Sequence, residues 1–246
     1  MVDLDSPKTF IVFTLIAAAV LFIATFLAVS QRTTGSMETS ENLTGGHLLL
    51  NEGDRLIYVA SLNDTEFNFS VEMIGIDRLN NCSLLKQTSA FYTNITGCYS
   101  VSNSSLIYVV LENNTISGGI FAGGLPAIHA FEPWMVAAEK GWSGSTKVSR
   151  FTKPDLMPML AFEETIETHY SCNETEIIFG RRALKVGIET FRQESVGENK
   201  RISLVGRRTV WIDLEKRIML KEEASTGNEI ATYSLLSAPF PLNASG

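Results

Sequence analysis

Along most of this chain apolar and polar residues take turns, but one stretch has no such rhythm. Residues 9–29, TFIVFTLIAAAVLFIATFLAV, run without a charge, a Pro or a Gly. As a helix rising about 1.5 Å per residue they span roughly 30 Å, the thickness of a hydrocarbon core. Residues 1–30 are therefore expected to form a cytoplasmic tip and a transmembrane signal-anchor helix. A cleaved secretory signal, whose apolar core usually runs about 7–15 residues, is the alternative. Ala28-Val29-Ser30 supplies small residues at cleavage-like spacing. Residues 31–46 (QRTTGSMETSENLTGG) are polar and rich in Ser, Thr and Gly, the composition of a flexible stalk.

After the stalk the pattern has period two. Short runs rich in β-branched and aromatic residues occupy 55–62, 66–74, 106–111, 163–170, 175–179, 183–191, 209–214, 217–223 and 229–236. Turn formers separate them, among them Asn63-Asp64, Gly180, Gly197-Glu198-Asn199 and Thr226-Gly227-Asn228. Strands joined by short turns, with no helices between, imply antiparallel meanders. The rhythm breaks again between residues 117 and 161, where small residues, two Trp and several Pro accumulate. Pro133 to Lys140 reads as a short helix, with Pro in its first turn and Gly141 past its end. The expected architecture is mainly β: an anchor helix, then an extracytoplasmic domain over 47–246. That domain is an antiparallel, incompletely closed barrel or curved sheet with one or two short helices. Two halves, 47–116 and 162–246, would flank an apolar insert at 117–161, which serves as a lid over the sheet or as connecting structure packed on the core.

Composition narrows the function. With 45% hydrophobic and 19% charged residues the chain has an ordinary globular balance, and a net charge of −7 argues against nucleic-acid binding, which needs a basic face. Lys and Arg flanking residues 9–29 are too evenly split to orient the anchor. Asn-x-Ser/Thr motifs orient it instead. Given 14 Asn and 44 Ser plus Thr in 246 residues, about 2.5 such motifs arise by chance, yet nine are present, at Asn42, Asn63, Asn68, Asn81, Asn94, Asn103, Asn113, Asn173 and Asn243. All follow the apolar stretch. They are expected glycosylation sites, which puts the domain outside the cytoplasm of a single-pass cell-membrane protein. Cys82 and Cys98 are expected to form a disulfide there, while Cys172 is left over or takes one of their places.

Catalytic signals are thin. His169 follows Glu167 at strand spacing, but Cys172 falls on the opposite strand face. Gly118-Gly119 and Gly123-Gly124 lack the Lys-Ser/Thr that a phosphate loop requires. No Cys/His spacing or EF-hand pattern points to a metal. No catalysis, cofactor or metal is expected. Arg181-Arg182 and Arg207-Arg208 read as exposed strand positions.

The carboxy-terminal third is more specific. FGRRALKVGIETF (179–191), RRTVWIDLEKRIMLKEEAS (207–225) and NEIATYSLL (228–236) resemble the hairpins of the LolA/LolB/RseB-like family, the lipoprotein-carrier superfamily. The matching parts are Phe179-Gly180-Arg181, Val210-Trp211-Ile212-Asp213 and Met219-Leu220-Lys221-Glu222. That resemblance implies an incomplete barrel whose concave face, closed by helices, holds acyl chains or a protein partner. Phe121, Trp134, Met135, Met157 and Met159 are then the expected adaptable cover, with Trp211 beside them. The expected function is a non-catalytic extracytoplasmic binding domain, for lipid or for a lipoprotein-like partner. A structural or adhesion component of the cell surface is the alternative.

Overall fold

Cross-strand partners in an antiparallel sheet share a face, so the positions of the apolar residues fix both the register and the side on which the core lies. In the computed structural model of the chain, residues 32–39, 48–62, 65–89, 94–111, 114–117, 128, 130–153, 162–196, 199–227 and 229–242 are described. Among the described residues thirteen strands make one antiparallel sheet. They are β1 (Arg32–Thr39), β2 (Arg55–Leu62), β3 (Thr65–Asp77), β4 (Cys82–Ser89), β5 (Ile95–Ser100), β6 (Leu106–Leu111), β7 (Asn114–Ser117), β8 (Ser143–Lys153), β9 (Phe162–Ile178), β10 (Arg181–Val196), β11 (Asn199–Asp213), β12 (Met219–Thr226) and β13 (Glu229–Ser237). The order is β1-β8-β9-β10-β11-β12-β13-β2-β3-β4-β5-β6-β7, with β1 and β7 as free edges, so the sheet is open. Two sequential meanders, β2 to β7 and β8 to β13, meet where β13 pairs with β2.

Several expectations are corrected. The stretch 31–46, read as stalk, contains β1, which pairs residue for residue with β8 from Arg32↔Lys153 to Thr39↔Thr146. A polar edge strand lacks the alternation that marks a half-buried one. The insert is shorter than 117–161, because 143–153 is strand β8. Strands 163–170 and 175–179 are one strand, β9, in which Lys185↔Glu174 and Val186↔Cys172 leave Asn173 as a bulge. Pro133 to Lys140 is not an α-helix; only Pro133–Val136 coils, as a 3-10 turn. The expected anchor helix at 9–29 lies outside the described residues. Among those described, no helix is long and apolar enough to cross a membrane.

The sheet is strongly curled. At about 4.8 Å between strands, β5 and β9, eight steps apart in the order, would lie roughly 38 Å apart if the sheet were flat. Yet Tyr99 of β5 packs edge-on against Phe131 at 5.1 Å, and Tyr170 of β9 packs against Trp134 at 5.1 Å. Phe131 and Trp134 are three residues apart, a reach of about 10 Å. The strands therefore wrap around this segment as a trough. Register shifts in six of the twelve strand pairings increase local twist and favour that curl. At one of them, between Met73 and Gly75, Gly75 takes φ +143°, a conformation open to glycine.

The inner face supplies Leu56, Tyr58, Phe69, Val71, Met73 and Leu85 from one meander and Tyr170, Cys172, Val186, Ile188, Val210 and Ile212 from the other, all in one buried cluster. Gly97 is also part of this wall. A Cβ there would lie 2.8 Å from the Tyr99 ring, so the ring lies over the glycine's face. A disulfide joins Cys82 to Cys98 across β4 and β5.

Candidate ligand-binding face

The trough is filled by the chain's own residues 128 and 130–142. Ile128, Phe131, Trp134, Met135, Ala138 and Trp142 are all buried against the sheet. Pro133 begins the 3-10 turn, whose Met135 amide donates to the Glu132 carbonyl at 2.9 Å. Trp134 and Met135 of this turn are both buried. Trp134 stacks on Trp142 at 6.0 Å, and both rings meet Tyr170. Backbone hydrogen bonds pin the segment at both ends. The Met219 amide donates to the Ala130 carbonyl at 3.0 Å, the Gly141 amide to Cys172 at 2.7 Å, and the Cys172 amide to Trp142 at 2.9 Å. Arg217 adds a bond from Nη1 to the Ala138 carbonyl, at 2.6 Å.

A second arginine reaches the insert from a strand. Arg208 stands on the inner face of β11, at the same parity as Val210 and Ile212. Its Nε donates to Glu222 Oε1 at 2.8 Å, and its Nη2 donates to Glu222 Oε2 at 3.1 Å and to Glu132 Oε1 at 2.6 Å. The other oxygen of Glu132 accepts from Trp134 Nε1 at 2.7 Å. Glu222 is nearly inaccessible at 3%, whereas Arg208 and Glu132 are 29% and 20% exposed. Burial opposes the guanidinium charge, but the two carboxylates more than offset it and hold its pKa well above the ordinary arginine range. Glu132 also acts on the aromatic wall. Burial, with the Glu132 charge second, pushes the Tyr170 hydroxyl up to about 12 and raises Tyr99 further. Chemically the arrangement is a latch: a carboxylate on the insert held by an arginine on the wall.

The residues expected to bind ligand divide between two faces. Trp134 and Met135 lie in the trough. Trp211 stands on the opposite face of β11, where its Nε1 donates to Glu176 Oε2 at 2.7 Å, with the ammonium groups of Lys221 and Lys185 over its ring at 4.9 and 5.9 Å. Phe121, Met157 and Met159 lie outside the described residues. Arg208, Glu132 and Glu222 escaped the sequence reading, which placed Arg208 on an exposed strand face. Strand parity with Val210 and Ile212 was the available signal.

The residues that carry the family resemblance have a local structural task. Phe179-Gly180, both at positive φ (51° and 74°), form the two-residue turn between β9 and β10. Arg181, next in line, pairs through Nε and Nη2 with Asp213, which also accepts from the amides of Glu215 (2.8 Å) and Lys216 (2.7 Å) and so caps the β11–β12 turn.

Glu167 and His169 pair at 3.1 Å on the outer face, while Cys172 is buried on the inner face. Burial raises the Cys172 thiol pKa, with Arg217 partly opposing. The three groups do not converge. Among the described residues no cluster of three or more His, Cys, Asp or Glu is placed to hold a metal. A shallow depression of about 200 Å³, bordered by Arg55, Ile57, Asn68 and Thr88, lies on the outer side of β2 to β4. Of the nine glycosylation motifs, Asn68, Asn81, Asn94, Asn103 and Asn173 are described, and all five are exposed. Asn42, Asn63, Asn113 and Asn243 lie outside the described residues.

No family model matches the chain, and no curated protein sequence matches it. Seven solved chains match this one. The hypothetical lipoprotein YmcC from Escherichia coli is 16% identical, with 77% of this chain and 89% of that chain covered at a TM-score of 0.34. A protein from Bacteroides fragilis, described as exported and of YmcC-like fold, is 7% identical over 80% and 99% of the two chains, at 0.36. A protein from Parabacteroides distasonis, described as a lipoprotein, is 10% identical over 78% and 99%, at 0.37. TM-scores this low carry no argument, and the likeness to the LolA/LolB/RseB-like family rests on the carboxy-terminal residues alone.

Proposed function

We propose that the chain is a membrane-anchored, extracytoplasmic, non-catalytic binding protein whose trough accepts a lipid acyl chain when the insert moves aside. The observation that carries this reading is the latch. The apolar wall is covered by a short segment attached at its centre by a charge-assisted contact that water reaches, and not by a continuous layer of sheet. An acyl chain would replace Trp134 and Met135 against the same wall. Placement outside the cytoplasm is supported by the nine glycosylation motifs, five of them exposed among the described residues, and by the Cys82–Cys98 disulfide. Anchoring is supported by the uncharged stretch at 9–29.

Titration of the purified protein with a fluorescent fatty acid tests the reading. A ligand that needs the open trough binds with an affinity reduced by the fraction of open molecules. Glu132→Gln removes the charge from the latch, worth about 1–2 kcal/mol for a partly exposed contact, and is expected to tighten binding about 5- to 30-fold. Absence of saturable binding at micromolar probe, in both wild type and variant, would overturn the proposal.

A further inference from the structure

Strands β8 to β11, with β1, run on past the rest of the sheet. β12 pairs with β11 only from Arg207 upward, and the β13–β2 pairing stops at about the same level, at Ala231↔Leu62. From Gly206 down to Asn199 the ribbon therefore projects about 23 Å further, at about 3.3 Å per residue. Register carries one level across its end. Thr33, Thr152, Phe162, Val196 and Asn199 are aligned, and the pair Arg32↔Lys153 stands one rung beyond them. β1 thus begins at the tip of the ribbon.

One corner of this tip is open. Thr165 and Ser195, on β9 and β10, are buried, but β11 presents six consecutive exposed residues, Asn199 to Leu204, with Ile202 68% exposed. Below Arg207 the far side of β11 has no strand partner among the described residues, so its amides and carbonyls require a polar layer beside them. Lys200 and Arg201 stand on opposite faces of the strand, and among the described residues neither forms an ion pair. No glycosylation motif falls between Asn173 and Asn243.

The length of the link to the apolar stretch says what lies against this corner. Only Ser30 and Gln31 separate residues 9–29 from β1. Three residue steps reach at most about 11 Å, and β11, four strands from β1, is about 19 Å away along the tip. With residues 9–29 spanning a bilayer, the reading on which this inference rests, the tip is held at the membrane surface. Charge favours the same end. In the four rungs nearest the tip, Arg32, Arg150, Lys153, Lys200 and Arg201 outnumber the four Glu of those rungs and of the link 197–198, so the acidic excess behind the net charge of −7 lies elsewhere.

We propose that the open corner of β11, formed by Lys200, Arg201 and Ile202, is a membrane-contact site that rests on anionic headgroups of the bilayer holding the chain. Ile202 enters the interface, and the two cations beside it reach lipid phosphates. The unpaired edge limits the depth, because backbone groups without partners do not enter hydrocarbon. Contact at both corners of the tip keeps the trough at a set height, with Tyr170 about 26 Å above Phe162 along β9.

The full chain, reconstituted into phosphatidylcholine vesicles with about 30% phosphatidylglycerol and carrying an environment-sensitive dye at Ile202→Cys, tests this. Cys172 is buried and the other two cysteines are bridged, so the dye goes to the new thiol. Leu79→Cys, 97% exposed between β3 and β4 at the opposite end, is the reference. Brominated lipid is expected to quench the dye at 202 at least about threefold more than the dye at 79, and Lys200→Glu/Arg201→Glu is expected to reduce that quenching by about half or more. An unchanged melting temperature of the double variant shows that its fold is intact. A chain that floats with the vesicles after an alkaline wash, but whose dye at 202 is quenched no more than at 79, would overturn the contact and leave the anchor standing. A chain that does not float would overturn both. Quenching indifferent to the charge reversal would overturn the headgroup attraction. A dye at 202 shielded from water yet untouched by brominated lipid would mean that a protein covers the corner, and would also overturn the proposal.

Discussion

Replacing Glu132 by Gln should loosen the insert while leaving the sheet intact, and the size of the effect follows from the local geometry. Arg208 Nη2 donates to Glu132 Oε1 at 2.6 Å, a charge-assisted contact. A fully buried bond of this kind contributes about 1.5–3 kcal/mol; with 29% and 20% of the two side chains exposed, solvent screening reduces this to about 1–2 kcal/mol. Gln is nearly isosteric and still offers an oxygen to Trp134 Nε1, so the aromatic stack should persist. Arg208 keeps both bonds to Glu222. The free energy of opening the insert should fall by that amount, which accelerates exchange of its protected amides about 5- to 30-fold. The reporters are the Met135, Ala137 and Ala138 amides, which donate to the carbonyls of Glu132, Trp134 and Trp134. Amides of Val186 and Ile188 in β10 should change far less. Arg208→Met is the contrast. It strands the Glu222 carboxylate, 3% exposed, without a cation and should cost about 3–5 kcal/mol of global stability. Equal acceleration of insert and β10 amides in Glu132→Gln would mean that the insert is an inseparable part of the core. Unchanged insert amides would mean that the latch holds nothing. Either result would refute the reasoning.

Three further outcomes follow from other contacts. Asp213→Ala removes the acceptor of Arg181 and of two turn amides at a site 1% exposed, and should lower unfolding free energy in urea by about 3–5 kcal/mol, with Arg181→Ala costing less. Replacing both Cys82 and Cys98 by Ser opens a loop with a sequence separation of 16 and should cost about 3 kcal/mol in the same assay. Burial pushes the hydroxyls of Tyr58, Tyr99 and Tyr170 above the ordinary tyrosine range, Tyr170 up to about 12. A raised pKa contributes stability that is present below the unfolded value and lost as pH rises through the folded one. The melting temperature should therefore hold, on their account, to about pH 9 and fall above about pH 10. A wild-type melting profile that shows tyrosinate absorbance before any loss of structure would contradict this.

The strands whose faces differ in environment were readable from the chain. Arg55–Leu62 alternates because Leu56, Tyr58 and Ala60 face the core while their neighbours do not, and its limits match β2. Leu106–Leu111 matches β6 on its run of β-branched and aromatic residues. The distal parts of β8, β10 and β11 were missed or cut short because they extend beyond the trough. There both faces carry polar groups, such as Arg192, Glu194, Lys200 and Arg201, so no period of two survives. β4 and β5 were missed where Ser, Thr and Gly dilute the alternation. Trp134 and Met135 were identified as a cover by their apolar bulk, and they occupy the trough. Trp211 was grouped with them on bulk as well, although its parity against Val210 and Ile212 assigns it to the other face. The latch was hidden because Glu132 is far in sequence from Arg208 and Glu222, which share the β11–β12 hairpin, and only the tertiary fold brings it to them. Arg208 is 76 residues from Glu132.

The three tryptophans divide cleanly between the faces and so provide the most direct test of an apolar trough closed by a removable cover. Trp134 and Trp142 lie inside it, and Trp211, although also buried, stands on the opposite face of β11. Titration with a bromine-substituted fatty acid should quench the fluorescence of a Trp211→Phe variant saturably, because the acyl chain arrives beside the two inner indoles. A Trp134→Phe/Trp142→Phe variant, reporting from Trp211 alone, should be quenched little. No saturable quenching of the inner pair, or equal quenching of Trp211, would contradict the account.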